Sequence, residues 1–77
     1  MATQPAPEAQ RLAWNLYMAR SATRIAQGHV AAELGVHRNT VRNWETGHTR
    51  PCDAHLDLLA EMYGVDVHWL TGSLAAA

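Results

Sequence analysis

The chain of 77 residues contains no lysine, one cysteine and no long run of apolar residues. Because Cys52 is alone, no disulfide can form within the chain. The N-terminal residues lack the charged segment followed by an apolar stretch that marks a secretory signal, and no stretch is long enough to span a bilayer. These absences predict a cytoplasmic protein in a reducing environment, with no membrane association.

Positive charge is scarce in this sequence. Six arginines face seven acids, and the formal net charge is −1. Proteins that bind polyanions without regard to sequence usually carry a basic excess, so the total charge argues weakly against that class. A sequence-specific binder is not excluded, because local clustering of charge matters more than the total. Five of the six arginines lie within residues 20–50, and four of the acids lie after Pro51.

The apolar residues, 48% of the chain, recur at helical spacing and predict one small all-α domain with five helices. We expect helices at residues 9–23, 27–34 and 38–46, a fourth that Asp53 caps and Gly64 ends, and a short fifth at 67–71 capped by Asp66. Residues 1–8 are predicted to be a flexible tail, 9–73 the domain and 74–77 a short C-terminal tail. The predicted core positions are Leu12, Leu16, Ala19, Thr23, Val30, Ala31, Leu34, Val41, Trp44, Leu56, Leu59, Ala60, Tyr63 and Trp69.

The segment QGHVAAELGVHRNTVRNWETG, residues 27–47, has the spacing of two short helices joined by a tight turn. The small Ala31 allows the second helix to cross close to the first, and Gly35 tolerates the positive φ of the turn. Val41 and Trp44 anchor the second helix to the core. Its outer face is polar and suits the edges of bases, so the segment predicts a helix-turn-helix.

The stretches ELGVHRNTVRNWETG, RP and LLAEMYGVDVHWLTG resemble the phage repressor and Cro family, the lambda-repressor-like helix-turn-helix domains. The resemblance runs from about Arg11 to Gly72. It implies a compact five-helix fold, binding to specific double-stranded DNA and a homodimer on a two-fold operator. The base-reading positions that it implies are His37, Arg38, Asn39, Thr40, Arg42 and Asn43. The implied phosphate contacts are Gln27, His48, Thr49 and Arg50, and Arg20 and Glu45 match a structural ion pair.

Three positions depart from the family pattern. Ala26 replaces the usual Ser or Thr cap of the second helix, which predicts a weaker helix start. Arg24 stands where the family has glycine, so we expect either a different turn or a longer first helix. His37 replaces the Ser or Thr before the recognition helix, where it predicts a weaker cap but adds a titratable donor.

The chemistry of the implied reading residues agrees with the resemblance. Arg38 can donate two hydrogen bonds to a guanine edge, and Asn39 or Asn43 can pair both ways with adenine. Arg42 is suited to contact either a base edge in the major groove or the DNA backbone. The alternative is that these side chains form an ordinary solvated helix face.

Large apolar residues are predicted to point away from the core on two helices. They are Trp14, Tyr17 and Met18 on the first helix and Leu58 and Met62 on the fourth. Apolar groups that face outward indicate a contact surface, either a homodimer seam or a site for another protein. The alternative is that the tail or the last helix covers them.

We therefore predict a sequence-specific transcriptional regulator, with repression as its default action. A controller protein of a restriction–modification system fits equally well, and an antitoxin or adaptor that binds a protein is the alternative from another class. The sequence has no nucleophile–base pair, no paired carboxylates and no phosphate-cradling glycine loop, so we expect no enzyme. Its five histidines lack metal-ligand spacing on any helix, and we expect no metal and no cofactor.

Overall fold

The computed structural model describes residues 7–72, which form five helices joined by short turns. The helices are α1 (Pro7–Thr23), α2 (Gln27–Leu34), α3 (Arg38–Thr46), α4 (Asp53–Tyr63) and α5 (Val67–Thr71). The predicted all-α, five-helix fold is confirmed. α1 begins two residues before its predicted start, because proline is well suited to the first position of a helix. Residues 1–6 of the predicted N-terminal tail, the last residue of the predicted domain, Ser73, and the predicted C-terminal tail 74–77 lie outside the described residues.

The core forms where α3 packs against α1 and α2, and where α5 packs against α1 and α4. α1 and α5 are also joined by Asn15, whose Nδ2 donates to the carbonyl oxygens of Trp69 at 3.0 Å and Leu70 at 3.3 Å. These bonds add acceptor contacts at the last turn of α5, where a helix leaves carbonyl groups without an intrahelical partner. The Trp69 carbonyl also accepts from the N–H of Gly72. The buried core residues are Leu12, Leu16, Ala19, Val30, Ala31, Val41, Trp44, Leu56, Leu59, Ala60, Tyr63 and Leu70.

The turn between α2 and α3 depends on Gly35, which has φ of 68°. A left-handed residue here lets the chain reverse within three residues, and its N–H donates to the carbonyl oxygens of Ala31 and Ala32. Glycine adopts this conformation without the steric cost that a Cβ would add. The turn therefore sets α3 across α2 as the sequence predicts.

The structure corrects three expectations about individual side chains. Thr23 is exposed, because its hydroxyl bonds back to the carbonyl oxygens of the preceding turn. Asp53 is the first residue of α4 and Cys52 holds the capping position, with no side-chain cap bond. Met62 is half-buried and packs against the core. A projection of α4 alone does not show how this last turn packs against the core.

No helix within residues 7–72 combines the length and the apolar composition that a membrane span requires.

Candidate nucleic-acid interface

The recognition helix, α3, has one buried face and one polar face. Val41 and Trp44 are only 1% and 4% exposed and hold the helix to the core. At about 3.6 residues per turn, the opposite arc is centred on Asn39 and Thr46. Of the six predicted base-reading residues, His37, Arg38, Asn39 and Arg42 are exposed, and Thr40 and Asn43 are half-buried. The helix thus presents polar side chains to solvent along its whole length.

His37 caps the start of α3. Its backbone is extended, with φ of −76° and ψ of 148°, and its Nδ1 accepts a hydrogen bond from the N–H of Asn39 at 3.1 Å. A histidine therefore performs here the capping that Ser or Thr performs in other helices. Because Nδ1 accepts, the neutral ring carries its proton on Nε2. His37 thus combines a cap with a free N–H donor at the start of the recognition helix.

Three side chains join α1, α2 and α3 behind the polar arc. Arg20 Nε donates to Glu45 Oε2 at 2.6 Å, and Arg20 Nη2 donates to Glu45 Oε1 at 3.0 Å. Gln27 Nε2 donates to the same Oε1 at 3.0 Å. A carboxylate can only accept, so Glu45 orients the Gln27 amide with its NH₂ group inward. Reasoning from the sequence missed the bond between Gln27 and Glu45, because spacing along the chain does not show which side chains of different helices are in contact.

Two tyrosines flank this ion pair. The guanidinium carbon of Arg20 lies 5.8 Å from the centroid of the Tyr17 ring, within the range of a cation–π contact. Tyr63 is buried, and burial, followed by the negative charge of Glu45, raises the pKa of Tyr63 to about 12, while Arg20 opposes the shift. The hydrogen bond to Glu45 in turn raises the pKa of Arg20. Sequence reasoning placed Tyr63 only in the core and did not connect it with the pair.

A cavity of about 470 Å³ lies between the starts of α2 and α3. It is lined by Arg20, Ala26, Gln27, Gly28 and Arg38. No side-chain hydrogen bond caps α2 at Ala26. The N–H of His29 donates to Ala26 O, whereas the first two N–H groups of a helix have no partner within it and can face a ligand. Helix N-termini with arginines nearby suit phosphate oxygens. The cavity brings together Gln27, a predicted phosphate contact, and Arg38, a predicted base-reading residue.

The remaining predicted phosphate contacts follow α3 in one exposed loop, which contains His48, Thr49 and Arg50. His48 Nδ1 lies 2.8 Å from the hydroxyl oxygen of Thr46, the last residue of α3. Arg50 Nη1 lies 4.0 Å from Asp53 Oδ1, and an exposed pair at this distance restrains the arginine little. The loop therefore places donors directly after the C-terminal end of α3.

The histidines and acids do not form a metal site within residues 7–72, where no group of three or more His, Cys, Asp or Glu side chains converges. The histidines lie on separate elements. His29 lies 3.8 Å from Glu33 on α2, and His68 lies 3.3 Å from Asp66 at the start of α5.

Four large apolar residues are exposed on the surface. Trp14 is 60% exposed, Tyr17 44%, Met18 43% and Leu58 46%. The first three form a continuous patch on α1, the α1 patch, where the rings of Trp14 and Tyr17 lie 5.8 Å apart. The structure thus leaves these four predicted contact residues uncovered, in contrast to Met62.

Comparison with known proteins agrees with this geometry. A family model described as helix-turn-helix matches residues 24–70, more than half of the chain. The fold is similar to the crystal structure of a hypothetical transcription factor, NHTF, from Neisseria. The TM-score is 0.73 at 20% identity, and the match covers 92% of this chain and 85% of that chain. No curated protein matches the sequence significantly. The chain therefore belongs to the helix-turn-helix family of the phage-repressor and Cro type, and it is a DNA-binding regulator rather than an enzyme.

Proposed function

We propose that this regulator is a repressor that binds a two-fold operator as a homodimer, with α3 in the major groove. The observation that carries the proposal is the division of α3 into a face anchored by Val41 and Trp44 and an exposed polar arc. Two copies related by a two-fold axis would present two such helices to half-sites about 34 Å apart. A dimer seated on a promoter would block access of polymerase to it.

The exposed side chains of α3 support direct reading of bases. The Arg38 guanidinium can donate to guanine O6 and N7, and the Asn39 amide can pair with adenine N6 and N7, each pair discriminating by about 1–3 kcal/mol. His37 adds a single donor at the start of the helix. Arg42 is exposed on the same arc, and the half-buried Thr40 and Asn43 lie at its edge. These six residues are the proposed base-reading set.

The phosphate contacts would flank the reading helix. Gln27 and the cavity lie at the start of α2, and the loop of His48, Thr49 and Arg50 follows the end of α3. Because the chain has few cations, few counterions are released on binding. Each phosphate neutralised contributes a slope of about 0.9 to the plot of log affinity against log salt. We therefore expect a shallow salt dependence for this class.

Selection of bound sequences from random duplex DNA tests the proposal. We expect an inverted repeat whose half-sites are about 10 base pairs apart. Asn39→Ala should relax the preference at one position of each half-site. Gln10→Ala, which removes an exposed amide from α1 instead, should leave the selected sequence unchanged. Failure to enrich any sequence would contradict base reading, and a single asymmetric site would contradict the dimer.

Two neighbouring functions use the same domain differently. A restriction–modification controller would bind DNA in the same way and differ in the genes beside it. An antitoxin or adaptor would in addition bind a protein, and the exposed α1 patch favours this possibility. Co-expression with a toxin encoded beside it would test the antitoxin version. Trp14→Gln with Tyr17→Gln should then abolish neutralisation and leave DNA binding intact.

A further inference from the structure

Arg24 adopts a left-handed backbone conformation, with φ of 58°. Every other positive-φ residue within 7–72 is a glycine. The N–H of Arg24 bonds to Ser21 O at 3.1 Å and that of Ile25 to Arg20 O at 3.3 Å, so the turn closes the end of α1. This helix ending normally uses glycine, because a Cβ crowds the neighbouring carbonyl. An arginine here lowers the stability of the fold.

The fold does not compensate this cost through the Arg24 side chain. The side chain is exposed, and within residues 7–72 no hydrogen bond or ion pair joins it to another residue. Strained backbone conformations are concentrated at functional sites, such as those that bind a ligand. We therefore expect the Arg24 side chain to contact another molecule.

The turn that holds Arg24 lies at the edge of the proposed DNA-binding surface. Ala26, the capping residue of α2, follows two positions later and lines the cavity that also contains Gly28 and Arg38. Arg20 Nη1 donates to Ile25 O at 2.9 Å, which ties this turn to the ion pair behind α3. Arg24 is therefore held in fixed relation to the recognition helix.

The charges nearby leave Arg24 free to attract an anion. The carboxylate of Glu45 is already bound by Arg20 and Gln27. Glu33 lies at the far end of α2, where its described neighbour is His29. A guanidinium binds phosphate through two parallel N–H···O bonds and stays charged at any physiological pH.

We propose that Arg24 binds a DNA backbone phosphate beside the start of α2, as a contact additional to those carried over from the family. The inference rests on the proposed function, because it needs DNA seated on α2 and α3. An arginine at this left-handed position lowers the stability of the domain. It also adds a positive charge to the proposed DNA-binding surface of a chain that has few cations. Such a contact adds affinity and carries no base preference.

Arg24→Gly tests the proposal because its two effects have opposite signs. We expect the variant to melt about 4–8 °C above the wild type, since glycine relieves the left-handed strain. On the operator selected with the wild type, affinity should fall about tenfold, because one solvent-exposed arginine–phosphate contact is lost. The slope against log salt should become shallower by about 0.9. Arg11→Gln removes an exposed arginine from the other end of α1 and should change neither affinity nor slope.

Arg24→Lys keeps the positive charge and should retain most of the affinity and the full slope. A more stable Arg24→Gly variant with unchanged affinity and slope would overturn the phosphate contact and leave the proposed function standing. A loss of affinity with an unchanged slope would also overturn it, since the arginine would then act through the fold. If the wild type enriches no sequence, the proposed function fails, and this inference fails with it.

Discussion

Arg20 and Glu45 form a two-point ion pair between α1 and the recognition helix, with N···O distances of 2.6 and 3.0 Å. Their side chains are only 15% and 5% exposed. Glu45 also receives the amide of Gln27, so one carboxylate connects three helices. This carboxylate thus adds to the Gly35 turn and the buried anchors of α3 in holding that helix against the start of α2.

Removing one partner of this pair should destabilise the domain more than removing both. Arg20→Met leaves the Glu45 carboxylate with little solvent, and loss of one member of such a pair costs about 3 kcal/mol. The double variant Arg20→Met, Glu45→Met has no uncompensated charge and should unfold at a higher urea concentration than either single variant. Additive losses in the free energy of unfolding would show that the two charges do not depend on each other.

The raised pKa of Tyr63 should make stability fall at alkaline pH. The folded state holds the phenol proton up to about pH 12, whereas an unfolded tyrosine loses it near pH ~10. The stabilisation is therefore complete below about pH 10 and is lost as pH rises towards 12. Between about pH 9 and about pH 11.5, the wild type should lose on the order of 2 kcal/mol more than Tyr63→Phe in urea unfolding. Parallel curves for the two proteins would contradict the assignment.

The capping bond of His37 should be visible in stability. His37→Ala removes the acceptor for the Asn39 N–H and should cost about 1 kcal/mol, while His37→Ser supplies a replacement oxygen and should cost much less. His29→Ala is the matched control and should cost little. His29 is exposed, and the one described contact of its side chain is a 3.8 Å ion pair with an exposed glutamate, which contributes little to stability. Thermal melts of the three variants measure this. Equal losses in His37→Ala and His37→Ser would mean that the ring does not act as a cap.

The α1 patch should determine the oligomeric state if it is the dimer seam. Trp14→Gln with Tyr17→Gln should convert a dimer to a monomer in light scattering, and it should preserve helical content because neither side chain belongs to the buried core. Asp57→Asn removes an exposed charge from α4 instead and should leave the dimer intact. An unchanged mass for the α1 variant would remove this face from the seam.

The sequence by itself determined the five helices, most of their ends and most of the core, although Leu70, which is fully buried, was not predicted. The bounds of α2, α3 and α5 follow from signals within a few residues: Gly35 and Gly47 at helix ends, and Asp66 as a cap. Apolar spacing identified Val41 and Trp44 as anchors for the same reason, since helical periodicity is a local property. Arg24 shows the limit of local rules: an arginine in place of glycine predicted an altered turn or a longer helix, and the chain kept the left-handed turn.

Only the tertiary structure decided which side chains meet across helices. The bond from Gln27 to Glu45, the contact of Asn15 with the end of α5 and the position of Tyr63 beside the ion pair depend on how each helix is rotated. The burial of Met62 depends on how α4 packs against the core, which a projection of α4 alone does not show. Rotation and reach are set by the packing of the whole core, which couples residues distant in the chain. The spacing of residues along the sequence was therefore enough to identify a DNA-reading helix. The contacts that hold this helix in place could be identified only from the fold.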